Sequence, residues 1–258
     1  MGEGAHSRSH FTWPEGKRAA VSLTFDDSRV TQIERGIPLL NRFGIRATFY
    51  ASLLNLEQRL EQWREALGQG HEVGNHTVNH PCSCNFEWGT PHVLEDYTLE
   101  RMERELLEAN DRLEELLGVR PRTFAYPCGQ KYVGRGEGVR SYVPLVARHF
   151  LAGRGFRDES CNAPACCDLA QLFGVDYDRL TFAEAKVWLD LTARRGGWLI
   201  FVGHDMGVDR RQGVSQATLE ETCRYLADPA QGFWVDTVAA IGSYVQQRVG
   251  KIERPPSA

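Results

Sequence analysis

Short apolar runs that end in polar residues alternate with helix-patterned segments along nearly the whole chain, and few folds accommodate that pattern. Residues 19–25 read as a buried strand whose carboxyl end delivers Asp26 and Asp27. Residues 31–43 then carry Ile33, Ile37, Leu40 and Phe43 at helical spacing, with Gly44 as a stop. The alternation continues with strands at 46–50, 72–75, 123–126, 150–153 and 198–202, separated by helices at 55–67, 94–117, 139–149 and 182–192. A helix capped by Ser215 and running to Leu226, then a short strand and helix over 233–249, close the chain. Strands spaced by helices in this way predict a mostly parallel sheet covered by helices, either open or closed into a barrel. Polar residues at the ends of several strands are easiest to satisfy in a barrel.

No linker or internal repeat interrupts the 258 residues, so one domain is expected over 1–258, with tails at 1–17 and 250–258. The net charge of −4, without a basic block, argues against nucleic acid or an anionic membrane as partner. No apolar run approaches membrane-spanning length. The first residues are polar and lack the apolar core of a secretory signal, so a cytoplasmic location is expected unless a leader has been removed. Seven cysteines show none of the paired two-residue spacings of zinc ribbons, and free thiols in a reducing compartment are expected. Oligomeric state is not legible.

Adjacent residues at a strand end point to different sides, so Asp26 and Asp27 could take different jobs, one binding a cation and one handling a proton. Alone, the pair reads more readily as a solvated turn with an Asp cap. His76 and His80 lie four residues apart and could reach one cation from a helical turn, although Pro81 directs His80 toward extended backbone. With Asp27 they offer two nitrogens and one oxygen. That set suits Zn²⁺ first, with Co²⁺, Ni²⁺ or Mn²⁺ as alternatives, and leaves positions open. A structural zinc site using Cys82 or Cys84 beside His80 is the competing arrangement, but it leaves Asp26, Asp27 and His204 without a role.

Four ordered stretches carry a resemblance. They are Thr24-Phe25-Asp26-Asp27, then His76-Thr77-Val78-Asn79-His80, then residues 122–129 with Phe124-Ala125-Tyr126-Pro127-Cys128-Gly129, and finally Val202-Gly203-His204. In this order they resemble the polysaccharide deacetylases with the NodB-type domain, carbohydrate esterase family 4, over nearly the whole chain. The resemblance implies a distorted (β/α)7 barrel and metal-dependent hydrolysis of an N-acetyl group on an acetylated sugar. By motif it makes Asp27, His76 and His80 the metal ligands, Asp26 the general base and His204 the general acid. The backbone N–H of Cys128 becomes the oxyanion donor, in preference to Cys128 acting as a nucleophile, and Tyr126 and Arg154 are the expected substrate-binding residues.

Two departures stand out. The family's third motif usually carries an Arg that holds the base carboxylate, and here that position is Ala125. Its fourth motif, an Asp-Trp that orients the acid histidine, is not recognisable in Gly153-Arg154-Gly155-Phe156-Arg157-Asp158. Arg154, at a strand end, is expected to replace the missing cation beside Asp26. Hydrolysis of another small or cyclic amide, or sugar binding without catalysis, are the rival functions.

Overall fold

The computed structural model describes residues 11–87 and 91–249. The tails expected at 1–10 and 250–258 lie outside the described residues. The rest of the expected N-terminal tail is instead packed: Trp13 is buried among Ala20, Trp198 and Val238, and its indole N–H donates to Gly196 O at 2.9 Å. An aromatic pair, Phe11 and Trp13, carries enough apolar surface to anchor a segment that lacks regular periodicity.

One eight-stranded sheet organises the molecule. Its strands are β1 (Ala19–Asp26), β2 (Thr48–Ala51), β3 (Glu72–Asn75), β4 (Thr123–Ala125), β5 (Ala152–Arg154), β6 (Val175–Asp176), β7 (Trp198–Gly203) and β8 (Phe233–Val235). Their spatial order is β5-β4-β3-β2-β1-β7-β6, all parallel, and β8 pairs with the first half of β1. The two ends of the row meet where Gly155 N–H donates to Leu172 O and Leu172 N–H donates to Gly153 O, both at 2.8 Å. The sheet therefore curls into the distorted (β/α)7 barrel, with a loop completing the seam between β5 and β6. Every residue of β1 and β7 is buried, as expected for central parallel strands covered on both faces.

Helix boundaries follow the local chemistry of the caps. Thr98 accepts from Arg101 N–H at the start of Leu99–Leu117, and Gly118 ends that helix at φ 71°. Thr181 and Glu184 form a reciprocal capping box at the start of Phe182–Arg195. The helix expected at 55–67 is split into Leu53–Glu57 and Leu60–Gly68, and the one expected at 31–43 begins as a π-turn over Gln32–Gly36. β6 was not foreseen at all. Two residues are too few for any periodicity, and only barrel closure makes them a strand.

Two glycines make room for large side chains inside the barrel. A Cβ at Gly74 would lie 2.5 Å from the Tyr50 ring, and one at Gly174 would lie 2.7 Å from Cδ of Arg154. The interior can thus hold Tyr50 and Arg154, both fully buried, with the guanidinium 4.8 Å from the ring centroid.

Cys82 and Cys128 form a disulfide, with Cα atoms 6.2 Å apart, against the expectation of free thiols throughout. Cys82 follows β3 and Cys128 follows β4, and these neighbouring strands bring their exit loops together across 46 residues of sequence. Spacing could not reveal that pairing. The disulfide removes the thiol count as an argument for a reducing compartment. Among the described residues, no helix is long and apolar enough to cross a membrane.

His71 gives the fold a pH dependence. Its Nδ1 accepts from Ala47 N–H, so the buried ring is held neutral, and burial together with nearby Arg46 pushes its pKa down to about 4. The unfolded chain then binds the extra proton first. Stability is expected to be complete above about pH 6.5 and to fall by up to about 3 kcal/mol as pH drops toward 4. A His71→Gln variant should show a flatter curve of denaturation midpoint against pH; an unchanged slope would assign the effect elsewhere.

Candidate active site

The exits of β1, β3, β4, β5 and β7 converge on one cavity of about 310 Å³, lined by Asp26, Asp27, His76, His80, Cys128 and His204 with Arg29, Phe86, Phe156, Arg157 and Gln212. Asp26 ends β1 and keeps its carboxylate inside the barrel, where Arg154 pairs with Oδ1. Asp27 and Ser28 then turn at φ 75° and 49°, a left-handed pair that swings the second carboxylate outward. Such backbone costs about 1–3 kcal/mol per residue and persists where surroundings enforce it. Here Asp27 N–H donates to Tyr50 O and the Asn55 amide donates to Asp27 O, both at 2.9 Å.

The two carboxylates diverge as adjacent residues should, though both remain 3.9 Å from Nε2 of His76. Asp27 Oδ2 is occupied by Arg29, whose Nη2 lies at 2.8 Å, while Oδ1 faces His76 and His80, each at 3.9 Å. Burial would raise the Asp27 pKa, but the charges of His76, His204, His80 and Arg29 hold it well below the usual carboxylate range. The group is therefore ionised, with one oxygen available.

The histidine loop is not a helical turn. Thr77 and His80 adopt φ 66° and 48°, so His80 is left-handed and not extended as Pro81 suggested. What shapes the loop is the Leu99–Leu117 helix. Its buried Glu105 accepts from the N–H groups of Val78 and Asn79 and from the Asn79 amide, at 2.7–3.1 Å. Asn75, at the end of β3, accepts from Thr77 N–H and donates to Leu106 O and Asn110. Three charge-assisted bonds outweigh the conformational preference of a residue before proline.

His76 Nδ1 lies 2.9 Å from Ala125 O, which can only accept, so Nδ1 carries the proton and Nε2 presents its lone pair. Burial pushes the His76 pKa down to about 4, which keeps the ring neutral. The donor atoms of Asp27, His76 and His80 all lie within 4.8 Å of one another. Bonds of about 2.1 Å in tetrahedral geometry need donors roughly 3.4 Å apart, so a small inward shift brings this set onto one divalent ion. The residues fit such an ion in identity, protonation and direction. A second grouping, His80 with Cys82 and Cys128, has its two sulfurs joined in the disulfide, and they are not thiolate ligands.

Cys128 lines the cavity from the turn after β4, at φ 54°, between Pro127 and Gly129. His204 leaves β7 with Nδ1 2.6 Å from Asp178 Oδ2, while its backbone N–H donates to Asp178 Oδ1 at 3.0 Å. Burial alone would lower the His204 pKa, but the Asp178 hydrogen bond and the charges of Asp26, Asp178 and Asp27 raise it. The imidazole is thus biased toward its protonated form.

Two of the expected positions are corrected. Tyr126 is buried, with its hydroxyl donating to Ala170 O at 2.7 Å, and does not face the cavity. Arg154 is likewise wholly buried; its Nη2 meets Asp26 and its Nη1 donates to Gly155 O at 3.0 Å, so it cannot touch a substrate. A strand's alternation decides both, since β5 aims Arg154 into the barrel and the residue after β4 turns Tyr126 into the neighbouring aromatic cluster. Arg154 does stand beside Asp26, where Ala125 leaves no cation.

Asp178 and Arg29 were missed. Asp178 follows β6, well past residues 153–158 where the fourth motif would lie, and its only sequence signal is the run Val175-Asp176-Tyr177-Asp178. Asp205, the neighbour of His204 in sequence, accepts from Arg29 and Thr31 and does not contact the imidazole.

Comparison with known proteins was consistent with this geometry. Residues 14–137 match the family described as polysaccharide deacetylase. A peptidoglycan-N-acetylglucosamine deacetylase of Bacillus cereus is 30% identical over 79 residues, 30% of this chain and 37% of the relative. Three curated relatives are matched over 5%, 27% and 37% of their own lengths. A candidate polysaccharide deacetylase from Mycobacterium smegmatis superposes with a TM-score of 0.69 at 17% identity, covering 96% of each chain. Peptidoglycan deacetylase PdaC from Bacillus subtilis gives 0.54 at 20% identity, covering 91% of this chain and 95% of that one. BA3943, a pseudoenzyme of carbohydrate esterase family 4 from Bacillus anthracis, gives 0.54 at 17% identity, covering 86% of this chain and 65% of its own. At these identities the structural likeness establishes the fold.

Proposed function

From the match of residues 14–137 to the polysaccharide deacetylase family and the fold shared with such proteins, we propose that this protein is a metal-dependent hydrolase removing N-acetyl groups from an acetylated amino sugar or oligosaccharide. The observation that carries the reading is the meeting, in one cavity, of the Asp27–His76–His80 donor set with a carboxylate held by Arg154 and an imidazole held by Asp178.

Asp27, His76 and His80 would hold the cation, which supplies acidification of water and polarisation of the amide carbonyl. Asp26 accepts the proton of the attacking water, with its carboxylate fixed by Arg154. The Cys128 N–H faces the oxygen on which negative charge develops, a contact worth roughly 3–4 kcal/mol when lost. His204 donates its Nε2 proton to the nitrogen as the C–N bond breaks, giving acetate and a free amine. Phe86 and Phe156 supply apolar wall against the sugar or the acetyl methyl.

Asp178 sets the acid. Asp178→Asn is expected to lower kcat/KM at neutral pH by about 100-fold and to move the alkaline limb of the pH profile to lower pH, because the variant imidazole loses its proton sooner. An alkaline limb that stays in place would remove Asp178 from this role.

A catalytically silent sugar-binding protein is the competing reading, and BA3943, a pseudoenzyme, is an example of the fold without activity. The complete set of base, acid and donor residues favours the enzyme. Metal analysis of the purified protein, with acetate release assayed on N-acetylated mono- and oligosaccharides, tests it. Release that survives exhaustive chelation, or no release from any acetylated sugar at full metal occupancy, would overturn it.

A further inference from the structure

Beyond the catalytic cavity lies a second one of about 550 Å³, which shares Arg29, Arg157 and Gln212 with it. The two cavities adjoin across these shared residues. The far end of the second adds Arg179, Arg210 and Arg211. Three carboxylates also line it, but they are placed differently from the guanidiniums. The side chains of Asp178 and Asp205 are only 5% and 6% exposed and are engaged by His204 and by Arg29 and Thr31. Asp176 is 35% exposed and contacts Arg157 at 3.3 Å.

The arginine heads stand above them. Arg157 and Arg210 are 66% and 59% exposed, each with one nitrogen near a carboxylate, Asp176 at 3.3 Å and Asp205 at 3.6 Å, and Arg179 and Arg211 are exposed with no ion pair among the described residues. The surface this cleft shows to solvent is therefore positive, on a chain whose net charge is −4. Neutral acetylated sugars have no use for that charge. Planar guanidiniums pair with carboxylate and phosphate oxygens in a bidentate fashion.

We propose that the substrate carries an anionic group, phosphate or carboxylate, which Arg179, Arg210 and Arg211 hold while the acetamido group lies at Asp26 and His204. The acetamido end of this assignment rests on the deacetylase reading; the anion end rests on the cleft alone.

Binding can be measured without turnover, by calorimetry on the metal-loaded Asp26→Asn protein. The probes are N-acetylglucosamine 1-phosphate, N-acetylmuramic acid and neutral di-N-acetylchitobiose. At low salt, at least one anionic probe is expected to bind about tenfold or more tightly than the neutral one, and the tighter of the two identifies phosphate or carboxylate as the preferred group. In Arg179→Ala/Arg211→Ala the ratio of anionic to neutral affinity should fall close to one; both positions are exposed, and circular dichroism checks that the fold is retained. Equal affinity for charged and neutral probes, or a preference that survives the double substitution, would overturn the proposal. A preference that is abolished by the double substitution, in a protein that releases no acetate from any sugar, upholds the anion site and overturns the deacetylase reading.

Discussion

Asp26→Asn is expected to reduce acetate release about a thousandfold while leaving the bound metal in place. The amide cannot accept the proton of the attacking water, and a positioned general base contributes about 10²–10⁴ in rate. Asparagine keeps the shape of the carboxylate and still offers an oxygen to Arg154, so the site keeps its geometry, although the buried guanidinium loses its counter-charge and stability falls. The contrast is with His76→Ala, which removes the one donor whose tautomer is fixed by Ala125 O and should lose metal and activity together. If Asp26→Asn also empties the site, then Asp26 is a ligand and the division of labour between the adjacent carboxylates fails. Both lie 3.9 Å from the same histidine nitrogen, so the measurement has a real alternative to exclude.

The largest stability effect should come from Arg154→Met. The guanidinium and its carboxylate partner are 0% and 5% exposed, and removing one member of such a pair strands a buried charge. The expected loss is about 3–5 kcal/mol, or roughly 10 °C in the unfolding midpoint at this size. Activity should fall as well, because Asp26 loses the group that fixes its orientation. The double variant Arg154→Met/Asp26→Asn distinguishes the two effects. With no charge left to strand, it should regain much of the stability and none of the activity. Wild-type activity in Arg154→Met would show that another group orients Asp26.

Much of the fold was readable because long parallel strands and capped helices carry local signals. β1, β3 and β7 stand within a residue or two of where the sequence placed them, and the helix expected to end at 117 does so, with Gly118 as its cap. The failures share one cause. β6 has two residues and no pattern of its own, and Asp178 was invisible with it. Glu105 sits on a helix face where a charged residue reads as solvated, yet it is the mould of the histidine loop. The Cys82–Cys128 link joins loops that only strand order makes neighbours.

The sequence by itself determined which groups are available. It supplied two carboxylates at one strand end, a histidine pair, a third histidine closing an apolar run, and the alternation that requires a parallel sheet. Tertiary structure decided how those groups are supported and which side chains reach the cavity. It set Asp178 behind His204 and Tyr126 out of reach, while Arg154 stands behind Asp26 as its strand-end position suggested. The physical reason is that periodicity and caps act over a few residues and are written locally, whereas a buried group finds its partner through strand order, 26 residues away for His204 and Asp178.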